Sequence, residues 1–206
     1  HYGCGINAPA EWLNFDVSPT LRIQKTPIIN YFLKNKLNTN FPENVRFGNI
    51  IKGLPIPDNS CKGIYCSHVL EHLTLDDCRK AIKNSYKLLE KNGVFRCVVP
   101  DLEYITRKYL NNIDNGNHNS ASIDFINETL LGTKEKRKGL VMFLTSIFGN
   151  SKHLWMWDKH SLSKELRDIG FSKIRNCNYN DSKDKMFSKV ENRERFKNAV
   201  AIEAIK

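Results

Sequence analysis

His1-Tyr2-Gly3-Cys4-Gly5 opens the chain, and Trp12-Leu13-Asn14-Phe15-Asp16 follows, its acid eleven residues after Gly5. Two glycines around one small residue allow a tight turn and a close approach of backbone to a ligand. An acid at the end of the next short strand can accept hydrogen bonds from both hydroxyls of a ribose, as in nucleoside-binding α/β folds. Gly-x-Gly alone occurs in many loops. Its weight comes from a second stretch, Leu54-Pro55-Ile56-Pro57-Asp58-Asn59-Ser60, running into Ser67-His68-Val69-Leu70-Glu71-His72.

Working outward, Val45-Arg46-Phe47 and Gly63-Ile64-Tyr65-Cys66 read as short strands, the second entered through a Pro57-Asp58-Asn59 turn. Asp16-Val17-Ser18-Pro19 reads as a turn, and a helix is expected from Pro27 through Ile28, Ile29, Phe32 and Leu33. Thr74 can cap a second helix, with acids in its first turn. Cys78, Ala81, Ile82, Ser85, Leu88 and Leu89 share one face of it, and Asn92-Gly93 is the expected stop. Val94 to Val99 then forms a buried strand ended by Pro100-Asp101. Strand, helix, strand in this order implies a right-handed parallel crossover. Residues 101–160 are an excursion, followed by a helix from Ser161 to Ile169, a strand from Phe171 to about Cys177, and a last strand, Ala199 to Ile205. The pattern is α/β, with helices covering both faces of a sheet.

Composition bounds the classes. A chain of 206 residues with 26% charged and 40% apolar residues is ordinary for one globular domain with a full core. No run approaches the roughly 20 apolar residues that span a bilayer. The six cysteines lack any Cys-x-x-Cys pair, so they read as small buried residues in a reducing, cytoplasmic setting rather than a zinc site or disulfide framework. The net charge of +10 favours acidic partners. The lysines are widely spread, which suits a solvated surface better than a nucleic-acid footprint.

Together these segments resemble a class I S-adenosylmethionine-dependent methyltransferase, of the small type associated with bacterial polysaccharide biosynthesis. The likeness extends through Val99-Pro100-Asp101-Leu102-Glu103, His153-Leu154-Trp155-Met156-Trp157-Asp158, and Leu166 to Phe171. It implies a Rossmann-like, mostly parallel sheet with an antiparallel last strand, in a single domain over 1–206, with 101–160 as a lid or substrate-facing insertion. It implies S-adenosyl-L-methionine as cofactor, with Gly3, Cys4 and Gly5 near its methionine part and Asp16 on the ribose. Asn49, with Ile50 beside it, falls where the family places an acid near the adenine, and Ser67 and His68 line the other side. Three departures stand out. The strand that should precede Gly3 is reduced to His1 and Tyr2, so the sequence is expected to lack residues at its amino end. Asn49 replaces an acid. Lys62 stands where an acid usually introduces the fourth strand, a charge unfavourable to a sulfonium if it points inward.

Methyl transfer is an in-line displacement at an activated carbon, so alignment dominates. A hydroxyl acceptor also needs a base, a role suited to histidine. The candidates are His153, then His72, then Asp101. The expected activity is O-methylation of a sugar or glycan intermediate. The alternatives are a non-catalytic binding protein of the same fold and an RNA methyltransferase. Trp155 and Trp157 could stack on a sugar face. His68-Val69-Leu70-Glu71-His72 also fits H-x-x-E-H, the helical motif of inverted zinc peptidases. No third-ligand segment accompanies it, although Glu128 could be proposed, and no metal site is assigned. The basic run Lys134 to Lys138 beside Leu140 to Phe148 admits a peripheral membrane contact through 134–148.

Overall fold

A computed structural model describes residues 1–26, 40–132 and 152–206. Strands β1 (Asn14–Asp16) and β2 (Val45–Phe47) pair in parallel. A four-stranded sheet holds β3 (Cys61–Ser67), β4 (Leu89–Pro100), β5 (Ser172–Asn176) and β6 (Ala199–Ile205) in the order β3-β4-β6-β5. β3 and β4 are parallel, and β6 runs antiparallel to both its neighbours. Two residues connect the sheets. Tyr2 forms a parallel bridge with Phe15 and its N–H donates to the Tyr65 carbonyl at 3.2 Å, while the Phe15 N–H donates to the His1 carbonyl at 2.9 Å. The result is a Rossmann-like α/β arrangement in which, among the described strands, the last one runs reversed.

Period-two alternation on β4 sorts its side chains between two layers. Phe95, Cys97 and Val99 face a core completed by helices α2 (Leu75–Leu88) and, near the chain's end, Lys159–Ile169. Val98 faces the other side, with Tyr65, Phe187 and Val190. Leu162 and Leu166 are fully buried; each contributes about 2 kcal/mol by leaving water. Arg96 also points to the second side and is 1% exposed. Its guanidinium meets Glu191 at 2.6 Å, Glu203 at 2.7 Å and Asp181 at 3.1 Å, and donates to the Asn178 carbonyl at 3.0 Å.

Several boundaries depart from the sequence reading. The Ser18-Pro19 step is not a plain turn: it starts helix α1 (Pro19–Gln24), with the Ser18 hydroxyl accepting from the Thr20 N–H. Thr74 does cap α2, accepting from the Asp77 N–H, and the predicted face is buried. That helix stops at Leu88, short of Asn92-Gly93, because buried Leu89 already pairs with Cys61 in the sheet. The helix expected at Ser161 begins earlier, at Lys159, because Asp158 accepts from the His160 and Ser161 N–H groups in a capping box.

Within the excursion, α3 (Leu102–Asp114) and α4 (Ala121–Thr129) pack together through Tyr109 and Phe125, and Lys108 reaches Glu128 at 2.8 Å. Numbering the remaining helix in order, Lys159–Ile169 is α5. The helix expected from Pro27, the Lys134–Lys138 run and most of 134–148 lie outside the described residues. Among the described residues no helix is long and apolar enough to cross a membrane. The cysteines are free. Burial pushes the Cys4, Cys66 and Cys177 thiols up to about 12, which leaves them poor nucleophiles and poor metal ligands at neutral pH.

Candidate functional site

Parallel strands deliver their following loops to one edge. Here that edge gathers Gly3 to Gly5 after Tyr2, Asp16 at the end of β1, Asn49 after β2, Ser67 and His68 at the end of β3, and Asp101 after β4.

The first contact needed for a nucleoside site is present. The Gly5 N–H donates to Asp16 Oδ2 at 2.9 Å, and the Ser18 N–H donates to Oδ1 at 2.8 Å. Asp16 is only partly buried. A carboxylate offers about four acceptor positions, so two remain for vicinal hydroxyls. Gly3 and Gly5 take φ of +63° and +54°, the left-handed region that suits glycine. Gly3 has a second reason to lack a side chain, because a Cβ there would collide with Val69 Cγ2. The loop after β3 is therefore wedged against the glycine turn, a contact that no motif announced.

Other expected cofactor residues surround this pair. Cys4 is buried, its N–H donating to the Phe15 carbonyl at 3.2 Å. Asn49 Oδ1 accepts from the Ile51 N–H at 2.9 Å, so the amide first orders its own turn. Ile50 is buried, and its carbonyl accepts from the Asn84 side chain at 2.7 Å. The Ser67 hydroxyl is shielded from solvent. His68 sits at φ +54° with Nε2 3.0 Å from the Arg195 carbonyl. Lys62 is exposed and lines a cleft of about 330 Å³ with Trp12, Ser60 and Met186, at the amino end of β3. Its charge therefore lies at the opposite end of the strand from Ser67.

The candidate bases separate into two groups. His72 and His153 come together, with ring centroids 5.0 Å apart. Asp101 does different work: it caps α3, Oδ1 accepting from the Glu103 N–H at 2.9 Å, and its backbone bridges Trp157. The backbone explains the meeting of the histidines. The Leu154 and Trp155 N–H groups both donate to the Glu71 carbonyl, at 2.7 and 3.1 Å, docking residues 153–157 onto the turn Leu70–His72. That turn is a single 3-10 turn rather than a helix. The peptidase motif thus lacks its helical setting, and Glu128 is engaged with Lys108. Trp157 is buried in the core and offers no stacking face, whereas Trp155 is exposed.

Glu71 is the residue the sequence reading undervalued. It is 0% exposed, and neither carboxylate oxygen receives a hydrogen bond among the described residues. His68 Nδ1 stands 3.2 Å from Oε1, near enough for electrostatic attraction but without hydrogen-bond alignment. His153 is buried, and burial lowers its pKa against the opposing pull of Glu71. Its Nδ1 has no partner. His72 Nδ1 lies 2.9 Å from the Lys152 carbonyl.

Comparison with known proteins adds one domain-level match. Residues 1–97 match the family model described as a methyltransferase domain. No curated protein matches the chain. Solved structures with a similar trace include a SAM-dependent methyltransferase from Archaeoglobus fulgidus, 15% identical, covering 93% of this chain and 74% of that one, with a TM-score of 0.43. Another SAM-dependent methyltransferase, from Thermotoga maritima, is 15% identical over 94% of this chain and 80% of its own, with a TM-score of 0.45. PigF, solved with SAH, is 14% identical and covers 100% of this chain and 54% of its own, with a TM-score of 0.46.

Proposed function

Starting from an α/β methyltransferase fold whose first 97 residues match the methyltransferase-domain model, we propose that this chain transfers a methyl group from S-adenosylmethionine to an oxygen of a sugar or glycan intermediate. The observation that carries the cofactor half is the Asp16–Gly5 contact of 2.9 Å at the carboxyl edge of the sheet. It fixes the carboxylate beside a turn whose backbone a ligand can approach closely, with acceptor capacity left for a ribose. Gly3, Cys4 and Gly5 face the methionine part in this reading, Asn49 and Ile50 the adenine side, and Ser67 and His68 the opposite wall.

The acceptor half rests on the cluster of Glu71, His72 and His153, and its task is to take the hydroxyl proton as oxygen attacks. The new C–O bond forms as the S–CH3 bond breaks, its electron pair returning to sulfur. Asp101, occupied as a helix cap, is not needed for this step. Lys62, Asn49 and the shortened first strand favour the alternative of a non-catalytic relative; Lys62, exposed at the amino end of β3, supports it least.

Calorimetry with S-adenosylmethionine and S-adenosylhomocysteine tests the cofactor half. Both should bind, and Asp16→Ala should weaken binding by about tenfold or more, the loss expected for hydrogen bonds to a charged group. No binding to the wild-type chain would reject the enzyme reading. For the acceptor, labelled cofactor is incubated with nucleotide sugars and with RNA, and products are weighed by mass spectrometry. Methylated RNA, with steep salt dependence, would replace the sugar assignment.

A further inference from the structure

We propose that Glu71, His72 and His153 form a binding site for a single zinc-like divalent transition-metal ion. This deepens the reading of the cluster as the acceptor side and rests on it.

The donor atoms are already gathered. One ligand atom from each of the three residues lies within 4.8 Å of the others. A tetrahedral site with bonds of about 2.1 Å needs donors about 3.4 Å apart, so closing around an ion takes side-chain movements on the order of 1 Å. Two of the three residues are almost sealed from solvent, Glu71 at 0% and His153 at 7% exposure.

The hydrogen bonding is that of ligands awaiting an ion. A carbonyl can only accept, so His72 Nδ1 carries the proton that reaches the Lys152 carbonyl, which leaves Nε2 as the nitrogen that can ligate an ion. His153 keeps a buried Nδ1 without a hydrogen-bond partner among the described residues. Histidines that ligate metals donate their second ring N–H to a carbonyl or carboxylate, as His72 does, which fixes tautomer and orientation. Glu71 supplies the third observation. A buried carboxylate that receives no hydrogen bond, with His68 Nδ1 3.2 Å from Oε1, is costly, and an ion with two positive charges resolves that cost directly.

Two imidazoles and a carboxylate suit zinc or its borderline neighbours better than magnesium or calcium, which prefer all-oxygen shells. Three protein donors leave a tetrahedral ion one open position, the arrangement of catalytic rather than structural zinc. With the three side chains holding an ion, the ion would lower the pKa of an acceptor hydroxyl at the open position, in place of proton uptake by those side chains. The ion would also tie the turn after β3 to the segment from residue 153 to 157.

The test is titration of the purified wild-type chain, after chelator treatment, with Zn²⁺ by calorimetry and with Co²⁺ by visible absorption, both without cofactor. One ion per chain is expected, with the intense d–d bands of four- or five-coordinate cobalt. His153→Ala and His72→Ala should each weaken binding about 100-fold or more, while Lys62→Ala should leave it unchanged. Circular dichroism confirms that each variant is folded. If one variant fails to fold, the other and the wild-type cobalt spectrum decide. Absence of stoichiometric binding to the wild type, six-coordinate cobalt bands, or unchanged affinity in a folded histidine variant would overturn the site. Failure here leaves the cofactor reading intact, because S-adenosylmethionine binding is measured separately.

Discussion

Arg96 on β4 and Glu71 in the turn after β3 are both shut away from solvent, at 1% and 0% exposure. Around Arg96, three carboxylates and a carbonyl stand within 3.1 Å, so its fork of donors is matched almost donor for donor. Around Glu71 the described residues offer no hydrogen bond to either oxygen. Opposite charges, equal burial and opposite provision teach that the two serve different ends. A saturated buried ion holds elements together: here β4, β6 and the segment from Asn178 to Glu191. A buried ion without partners costs stability, and a fold keeps such a group where something from outside completes it.

The largest expected effect comes from breaking the saturated group. Arg96→Ala leaves buried Glu191 without its cationic partner and Glu203 with Arg175 alone, and should lower unfolding free energy by about 3–5 kcal/mol, read from urea denaturation. A loss below about 1 kcal/mol would mean that the network is ornamental and that the contrast with Glu71 fails.

Acid should reveal the same network more gently. Burial alone would raise the pKa of Asp181, but the Arg175 side chain, the Asn178 N–H and Arg96 outweigh it and hold it down at about 2. A carboxylate with a depressed folded pKa stabilises above its unfolded value of 3.8 and loses that contribution as pH falls toward 2. The loss should amount to about 2 kcal/mol across that window, and Asp181→Asn should remove it. An unchanged acid limb in the variant would show that Asp181 is not coupled to the arginines.

The smallest effect is expected at the orphan. In metal-free protein, Glu71→Gln should leave stability unchanged or raise it by about 1 kcal/mol, since no hydrogen bond is lost and a costly buried charge is removed. The same variant should lose the thermal shift produced by Zn²⁺ in the wild type. A destabilisation above about 3 kcal/mol without metal would place Glu71 beside Arg96 as a structural ion.

Much of this was legible in the residues. The Gly-x-Gly turn and the acid after the next strand predicted a contact that is made at 2.9 Å. Thr74 and Ala199 to Ile205 marked a helix start and a strand accurately, because capping and continuous apolar runs are local signals. The helix at Pro19 was missed because Ser-Pro serves equally to open a turn or a helix. The stop at Asn92 was misplaced because pairing of Leu89 with Cys61 overrode a good local terminator. Arg96 gave no signal at all: one charged residue in a buried strand cannot name partners that lie 82 to 107 positions away.

From the sequence alone came the α/β order, since periodicity, caps and turns act over a few residues; the reversed last strand and the loops gathered at the sheet's carboxyl edge were expected only from the resemblance. Folding in three dimensions decided what those loops touch. It turned Lys62 outward, sank Trp157, set Val69 against Gly3, and carried His153 some eighty positions along the chain to His72, beside Glu71. Which polar groups find partners is settled by long-range packing, and only packing left that carboxylate and its two histidines facing one another.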